Sequence, residues 1–511
     1  MRPPRSTLVA AVGLAACVLA RDAAPQPAPV TAAQASAAAP APVAPAAAPV
    51  PSAGAIDARP VAEATAKLVD EVRGWGGRAG VLVVDLATGA TLASADEHGA
   101  YNPASNAKLA TAAAALHFLG PDHRFLTGLY GKPKGDGVDE LVLRGQGDPS
   151  LRTEDLWTMA RDLRDAGVRR VGSISVDQSY FDDRFAPPAF EAQPHEWAPF
   201  RAPVAAVSVD SNTVTLIVRA AQKAGKDASV RIEPPGFVDV TGRVETRTKD
   251  EPEALDLALE PRGARLAAKL GGSVPEGARV MRVVRRVDDP RLLAGYALRA
   301  LLDGAGVEVG PEVRLGGDKQ KSLLVAHRSA PLGELIGALG KDSDNFYAES
   351  LFKVLAAERK GRPATADAAA AVVDDFLRDI GATEPGVVVK NGSGLFDANR
   401  TTPTAVVALL RRAWQSPRYG AELVASLAVG GVDGTLKSRL RPWAQSRAVR
   451  AKTGTLESVT ALSGYVLRPD GGAPVAFSIL VEKSSGKVAK ARARTDDLVE
   501  AIAAQIHRRG R

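Results

Sequence analysis

Three pairs of residues in this sequence have the Ser-x-x-Lys spacing, which places a hydroxyl and an amine one helical turn apart on one face. A neutral lysine so placed can take the serine's proton and make it a nucleophile without histidine. The pairs are Ser105 with Lys108, Ser350 with Lys353, and Ser484 with Lys487. The first pair follows a proline-marked turn at the start of an Ala-rich predicted helix, where free backbone N–H groups face an incoming anion. We therefore predict that Ser105 and Lys108 are the reactive pair.

Two further short motifs carry groups that suit the same chemistry. Ser343-Asp344-Asn345 lies at a predicted helix start, with Asp342 and Ser343 as candidate caps. Lys452-Thr453-Gly454-Thr455 follows a strand-like run, and Gly454 would let another part of the chain approach the strand edge closely. Each motif alone favours an ordinary structural role, a capped helix or a basic strand followed by a turn. Their occurrence together, in this order, favours a catalytic site.

The three motifs together resemble the signature of the penicillin-recognising serine acyltransferases. Residues 109–342 separate the first motif from the second, which is far more chain than a compact β-lactamase allows. The sequence therefore looks like the D-alanyl-D-alanine carboxypeptidase/endopeptidase family, the class C low-molecular-mass penicillin-binding proteins. The resemblance covers roughly residues 57–505 and includes four further segments, Gly145–Leu151, Ala202–Val209, Asn391–Leu395 and Gly431–Leu436. Asn391 and Phe396 depart from the residues usual in the family.

The resemblance implies that Ser105 attacks the carbonyl between two D-alanines, or the corresponding cross-link amide, to form an acyl-enzyme that water hydrolyses. Lys108 would be the base, which requires it to be neutral. We expect partial burial and the nearby ammonium of Lys452 to lower the pKa of Lys108 below the usual value of ~10.4.

The remaining motif residues would bind and protonate the substrate. Ser343 would relay a proton to the leaving amine, and Asn345 would hold Lys108 and bind the substrate's peptide group. Lys452 with the segment Thr453-Gly454-Thr455 would bind the terminal carboxylate. The backbone N–H groups of Ser105 and Thr455 would form the oxyanion hole.

The pattern of elements, with the resemblance, predicts an α/β (α+β) fold. Its transpeptidase/β-lactamase-like domain, an antiparallel sheet flanked by helices, would contain a large β-rich insertion between the first and second motifs. We expect the catalytic domain to be split between residues 57–125 and 326–511. The insertion, residues 126–325, alternates short strand-like runs with turns around one clear helix, Pro290–Leu302, and would form one domain or two subdomains.

The N-terminus predicts export. Arg2 and Arg5 precede an apolar stretch, Thr7–Ala16, which is too short to span a bilayer. Leu14–Cys17 resembles a lipobox, which predicts a lipid-anchored protein; the alternative is ordinary signal cleavage near Ala20. Residues 1–22 are thus the signal segment, and residues 23–56, rich in Ala and Pro, form an extended linker. We expect the mature protein in the periplasm or cell envelope.

Composition excludes other classes. The net charge is +7 over 511 residues and aromatic residues make up 5%, so nucleic acid is not an expected partner. A single cysteine and six histidines without metal-ligand spacing predict neither a metal nor another cofactor. The expected partners are peptidoglycan stem peptides, with β-lactam antibiotics as covalent inhibitors. Alternative functions are a β-lactamase and, from a different class, a non-catalytic scaffold that binds cell-wall polymer.

Overall fold

The computed structural model describes residues 56–192, 196–317 and 321–507. The predicted signal segment with Cys17, and the predicted linker up to residue 55, lie outside these residues. In the described part of the chain, no helix combines the length and apolar character needed to cross a bilayer.

The helices and strands of the described residues are numbered here in chain order. The helices are α1 (Arg59–Gly74), α2 (Ala107–Leu119), α3 (Thr153–Asp165), α4 (Leu293–Gly304), α5 (Leu332–Leu335), α6 (Gly337–Gly340), α7 (Asn345–Arg359), α8 (Ala366–Asp379), α9 (Pro403–Trp414), α10 (Gly420–Ser426) and α11 (Val488–Ile506). The strands are β1 (Arg78–Asp85), β2 (Thr91–Ala95), β3 (Leu126–Gly131), β4 (Pro133–Lys134), β5 (Gly137–Gly145), β6 (Arg170–Asp177), β7 (Thr213–Arg219), β8 (Lys226–Asp227), β9 (Ser229–Glu233), β10 (Val238–Gly242), β11 (Glu245–Arg247), β12 (Ala254–Arg262), β13 (Arg265–Pro275), β14 (Met281–Arg286), β15 (Glu308–Val309), β16 (Val313–Leu315), β17 (Ser322–Arg328), β18 (Ala428–Val429), β19 (Val449–Thr455), β20 (Thr460–Val466) and β21 (Val475–Glu482).

A six-stranded antiparallel sheet carries the third motif. Its strand order is β18-β19-β20-β21-β1-β2, so the first strand of the described chain pairs with the last. Strands β1 and β2 form an antiparallel hairpin after α1. The sheet is covered on both faces, because successive residues of β1 enter different hydrophobic clusters. Val81 and Val83 pack with α1 and α11, whereas Leu82 and Val84 pack with α2 and the helices around it.

Helix α2 places the first motif among the helices that pack on one face of this sheet. A 3-10 turn, Ala104–Asn106, precedes it, which confirms the prediction that Ser105 lies at a helix start. Most of α2 is buried, including Lys108, because its alanines let α7, α8 and α9 pack closely around it. The fold thus holds the lysine's amine inside the protein while the turn before it reaches the surface.

Between β3 and β17 the chain forms three further sheets. A seven-stranded sheet has the order β15-β6-β5-β3-β17, with β16 and β4 at its sides, and α3 and α4 pack on it. A three-stranded sheet (β14-β7-β9) and a five-stranded sheet (β10-β13-β11-β8, with β12 on β13) follow. Leu216 and Val218 of the former pack with Leu270 and Val274 of the latter in a separate cluster. The predicted α+β class, with a β-rich segment between the first and second motifs, is confirmed.

Several local predictions need correction. The β-rich segment contains α3 as well as the predicted helix, now α4. Buried Leu156, Met159, Ala160 and Leu163 give α3 a helical spacing that could have revealed it.

The second and third motifs also differ locally from the prediction. The cap of α7 is Asp344, whose carboxylate accepts the backbone N–H of Tyr347, instead of Asp342 or Ser343. The Lys452–Thr455 segment forms the second half of β19 instead of following the strand. Pairing with β20 continues through Thr455, which keeps these residues in extended conformation.

Candidate active site

Ser105 and Lys108 face each other at the start of α2. The Nζ atom of Lys108 lies 3.0 Å from Oγ of Ser105. Lys108 is 1% exposed, whereas Ser105 is partly accessible from solvent. The backbone just before the serine adopts a left-handed conformation, with φ of 45° at Ala104. This conformation is uncommon for a non-glycine residue and is typical of tight turns at functional sites.

Two acceptors from distant parts of the chain also surround the amine of Lys108. Its Nζ atom lies 2.7 Å from Oδ1 of Asn345 and 2.8 Å from the carbonyl oxygen of Ser393. The first acceptor comes from the start of α7 and the second from the loop that precedes α9. The structure thus brings the first two motifs together around one buried amine, with a third group from the Asn391–Leu395 segment.

The third motif joins the site through Lys452. Its Nζ atom donates hydrogen bonds to Oγ of Ser343 and to the carbonyl oxygen of Thr453, both at 2.8 Å. Lys452 is fully buried. Because Asp344 caps α7, the hydroxyl of Ser343 is available to this lysine, and a φ of 61° at Ser343 accompanies the arrangement.

Burial governs the protonation of both lysines. Desolvation lowers the pKa of Lys108 to about 7, although the charges of Glu349 and Asp344 partly oppose the shift. Desolvation also lowers the pKa of Lys452 well below its usual value, and the positive charge of Lys108 adds to that shift. Burial is thus the leading cause of both pKa shifts. We expected the ammonium of Lys452 to lower the pKa of Lys108, but the repulsion between the two lysines lowers the pKa of Lys452 instead.

Gly454 lets β19 lie against the turn that carries Ser105. A Cβ atom at Gly454 would lie 2.9 Å from the carbonyl oxygen of Pro103 and 3.0 Å from Cβ of Ala104. This contact fulfils the expectation of a close chain approach at that glycine. It also brings Gly454, next to Thr455, close to Ala104, next to Ser105.

The threonines of the third motif contact groups outside it. Oγ1 of Thr453 lies 2.7 Å from Oγ1 of Thr435, in the Gly431–Leu436 segment. The hydroxyl of Thr455 is exposed and lies 3.4 Å from the guanidinium of Arg492 on α11. The third motif therefore presents hydroxyls beside the buried amine of Lys452 and the half-buried guanidinium of Arg492, a combination suited to a carboxylate.

Asn345 has a partner that sequence reasoning missed. Its amide Nδ2 donates a hydrogen bond of 2.9 Å to the carbonyl oxygen of Phe200, which lies in the segment between β6 and β7. We expected this amide to meet the peptide group of the substrate, and here the backbone of the β-rich segment takes that hydrogen bond. No local pattern around Phe200 indicated the contact, because a backbone carbonyl carries no sequence signal.

The other two Ser-x-x-Lys pairs lack this arrangement. Lys353 is buried and donates to a carboxylate oxygen of Asp182 at 2.5 Å and to the carbonyl oxygen of Arg184. Ser484 donates its hydroxyl hydrogen to the carbonyl oxygen of Ser458, and Lys487 is exposed. Neither pair joins the second or third motif through these contacts.

The cluster pairs a serine hydroxyl with a lysine amine instead of a histidine, an arrangement that suits a serine hydrolase. Residues 62–505 match the family described as D-Ala-D-Ala carboxypeptidase 3 (S13). The chain belongs to this family and is a serine-type D-Ala-D-Ala carboxypeptidase. The resemblance stated from the three motifs is thereby confirmed.

Individual relatives agree with the family match. The chain is 37% identical over 432 residues to a D-alanyl-D-alanine carboxypeptidase of Actinomadura sp. (strain R39), covering 80% of this chain and 79% of that one. It is 26% identical to the D-alanyl-D-alanine carboxypeptidase DacB of Haemophilus influenzae, over 72% of this chain and 78% of that one. The crystal structure of penicillin binding protein 4 (dacB) from H. influenzae shares the fold, with a TM-score of 0.69, 24% identity and coverage of 84% of this chain and 97% of that one.

Proposed function

We propose that the protein removes the terminal D-alanine from peptidoglycan stem peptides, and hydrolyses the corresponding cross-link amides, through an acyl-enzyme on Ser105. The observation that carries the proposal is the 3.0 Å contact between Oγ of Ser105 and Nζ of Lys108, in a site where the amine is buried. A partly accessible hydroxyl beside a buried amine is the arrangement that a serine nucleophile with a lysine base requires.

Lys108 is the general base of this proposal. A neutral amine has two hydrogens and one lone pair. The two hydrogens can go to Oδ1 of Asn345 and the carbonyl oxygen of Ser393, at 2.7 and 2.8 Å. The lone pair then faces the hydroxyl of Ser105 and can accept its proton as Oγ bonds to the substrate carbonyl carbon. The pKa of Lys108, lowered to about 7 by burial, supports this role near neutral pH.

The proton must then reach the leaving group. When the tetrahedral intermediate collapses, the C–N bond breaks and the leaving amine of D-alanine needs one proton. Ser343, hydrogen-bonded to Lys452, is the proposed relay from Lys108 to that amine. Water then attacks the ester carbonyl, and Ser105 regains its proton as the shortened peptide leaves.

The third motif is the proposed binding site for the terminal carboxylate. Thr453 and Thr455 carry hydroxyls, Lys452 an amine, and Gly454 permits the close approach to the turn of Ser105. The backbone N–H groups of Ser105 and Thr455 are the proposed oxyanion hole. Removal of one such donor typically lowers the rate by ~10²–10³.

β-lactams are the proposed covalent inhibitors, because they also present an acyl carbon and a carboxylate. A structure of H. influenzae penicillin binding protein 4 in complex with a β-lactam supports this; it shares the fold, with a TM-score of 0.65, 22% identity and coverage of 85% of this chain and 99% of that one.

Labelling with a fluorescent penicillin tests the nucleophile and the base. Ser105→Ala should abolish both covalent labelling and release of D-alanine, and Lys108→Ala should fold but acylate slowly. Lys487→Ala is the matched control, since it removes the exposed lysine of another Ser-x-x-Lys pair. Persistent labelling of Ser105→Ala, or near-normal acylation of Lys108→Ala, would contradict the assignments.

Two assays separate the activities that remain open. A long-lived penicilloyl adduct favours the peptidase, whereas rapid nitrocefin turnover would favour a β-lactamase. Mass analysis of purified muropeptides after incubation distinguishes loss of terminal D-alanine from cleavage of cross-links. A protein that binds muropeptides and releases neither product would be a scaffold.

We further propose that the protein is exported and tethered to the membrane through lipidated Cys17, with residues 23–56 as the spacer. The catalytic domain would comprise residues 57–125 and 326–511, and residues 126–325 the insertion. Pairing of β17 with β3 supports this division, because the chain returns there to where the β-rich segment began. Metabolic labelling with a lipid precursor tests the anchor, and an unmodified Cys17 would exclude it.

A further inference from the structure

A fully enclosed carboxyl group lies behind Lys108. Glu349 is on α7, one turn after Asn345, and is 3% exposed. Its two carboxylate oxygens accept backbone N–H groups, one from Gly392 at 3.1 Å and one from Ser393 at 2.8 Å. An ionisable side chain is costly to bury, so its position next to the catalytic cluster requires an explanation.

The loop bound by Glu349 is the one that contacts Lys108. The carbonyl oxygen of Ser393 lies 2.8 Å from Nζ of Lys108, and the N–H of the same residue is donated to Glu349. The loop also comes close to the nucleophile's turn, because a Cβ at Gly394 would lie 1.8 Å from the carbonyl oxygen of Ala104. A shift of this loop would therefore move one of the acceptors that orient the amine.

The charges around Glu349 come from three elements. Among the charges that raise the pKa of Lys108 on α2, that of Glu349 is the largest, and Asp344 at the start of α7 acts in the same direction. Lys353, one turn further along α7, is also influenced by Glu349 but is paired with Asp182. On β19, Lys452 donates a hydrogen bond to Ser343, and the positive charge of Lys108 lowers the pKa of Lys452. Burial raises the pKa of Glu349, whereas the backbone N–H groups of Ser393 and Gly392, which its two oxygens accept, and the positive charge of Lys108 favour its ionised form.

We propose that Glu349 is a positioning residue for the base: it holds the Gly392–Ser393 loop against Lys108 and supplies the negative charge that stabilises the ammonium formed when Ser105 loses its proton. This inference rests on the proposed role of Lys108 as base. The transfer moves one proton from Oγ to Nζ and places a positive charge where water is excluded. A carboxylate nearby lowers the free energy of that charged state, and its two accepted hydrogen bonds keep it from approaching the amine directly.

Glu349→Gln tests the charge. The amide keeps the size of the side chain and one acceptor oxygen but removes the negative charge. Because a nearby negative charge favours protonated lysine, its loss lowers the pKa of Lys108. The acid limb of the acylation rate should therefore move to lower pH by about one unit, while the high-pH plateau falls about tenfold. The measurement is the second-order rate of acylation by a fluorescent penicillin between about pH 5 and about pH 9.

Two further variants separate charge from loop position. Thr111→Val removes the hydrogen bond of 2.8 Å that Oγ1 of Thr111 donates to the carbonyl oxygen of Gly392, in the same loop and without a change of charge. Glu349→Asp keeps the charge on a shorter side chain. Both should lower the plateau without moving the limb. These two variants also test the proposal if Glu349→Gln does not fold. A shift of the acid limb of the acylation rate in Thr111→Val or Glu349→Asp would overturn it.

The result for Glu349→Gln can also overturn the proposal, whereas the results for Ser105→Ala and Lys108→Ala test the proposed function itself. A folded Glu349→Gln protein whose limb coincides with that of the unaltered protein would show that the carboxylate acts only in packing. Failure of the proposed function itself appears elsewhere, as persistent labelling of Ser105→Ala or undiminished acylation by Lys108→Ala.

Discussion

The close contact between β19 and the turn of Ser105 predicts a large effect from one added methyl group, in Gly454→Ala. Its Cβ would lie 2.9 Å from the carbonyl oxygen of Pro103, 3.0 Å from Cβ of Ala104 and 3.1 Å from Cβ of Ala461. Carbon atoms in contact prefer separations of about 3.5–4.0 Å. Two of these three neighbours belong to the Ser105 turn, so the strain is relieved by widening the gap between that turn and β19.

The expected displacement is roughly half an ångström, the shortfall of those contacts from the preferred separation. Overpacking of this kind costs about 1–3 kcal/mol of folding stability. The loss of catalytic rate should be more pronounced than the loss of stability, because a misplacement of about 1 Å can lower a rate by ~10². We therefore expect kcat/KM for a D-Ala-D-Ala peptide to fall by roughly 10- to 100-fold, with a measurable but smaller loss of thermal stability.

The assay compares kcat/KM and the second-order acylation rate of Gly454→Ala with those of Gly337→Ala. The control adds the same methyl group in α6, where the new Cβ would have open space around it. Both proteins are first examined by thermal unfolding, so that activity is compared between folded molecules. A Gly454→Ala enzyme within twofold of the control would refute the argument that β19 and the Ser105 turn must keep this separation.

Three further predictions concern protonation and stability. The acylation rate should rise with pH through a limb near pH 7, because burial lowers the pKa of Lys108 to about 7 and only its neutral form accepts a proton; a stopped-flow rate that is constant from about pH 5.5 to about pH 8.5 would contradict this. Asp433→Asn should cost about 1–2 kcal/mol in denaturant unfolding, because the carboxylate contacts Nζ of Lys341 at 2.6 Å and accepts the N–H of Val429. Leu298→Ala, in the core beside the seven-stranded sheet, should cost about 2–5 kcal/mol, yet leave the acylation rate of the folded protein unchanged.

Local patterns predicted the elements whose periodicity is strong. The Ala-rich helix after Ser105 is confirmed as α2, and the helix predicted over Pro290–Leu302 is found as α4. Helix α3 was missed although its buried residues have helical spacing, because the surrounding strand-like runs dominated the interpretation of that segment. The cap of α7 was misplaced by one residue, since Asp342, Ser343 and Asp344 all have side chains that suit an N-cap.

The contacts that complete the site had weaker signals or none. Thr435 and Ser393 lie in segments that the family resemblance singled out, so the sequence contained some indication that these segments contribute to the site. Phe200 contributes only a backbone carbonyl, and Glu349 is one carboxylate among many in the sequence. Their partners are distant in the chain, and nothing in the local sequence encodes which distant backbone group a side chain will meet.

The amino-acid sequence by itself determined which reactive groups the protein has and on which helix or strand most of them lie, because spacing and local conformation depend on near neighbours. The order and spacing of three motifs also sufficed to identify the family. The tertiary structure alone decided the state of those groups. The pKa of Lys108 depends on the helices that enclose α2, and the distances from Lys108 to Asn345 and Ser393 depend on how three distant segments pack. Burial and long-range electrostatics arise only when the chain has folded, so they cannot be assigned to any residue in isolation.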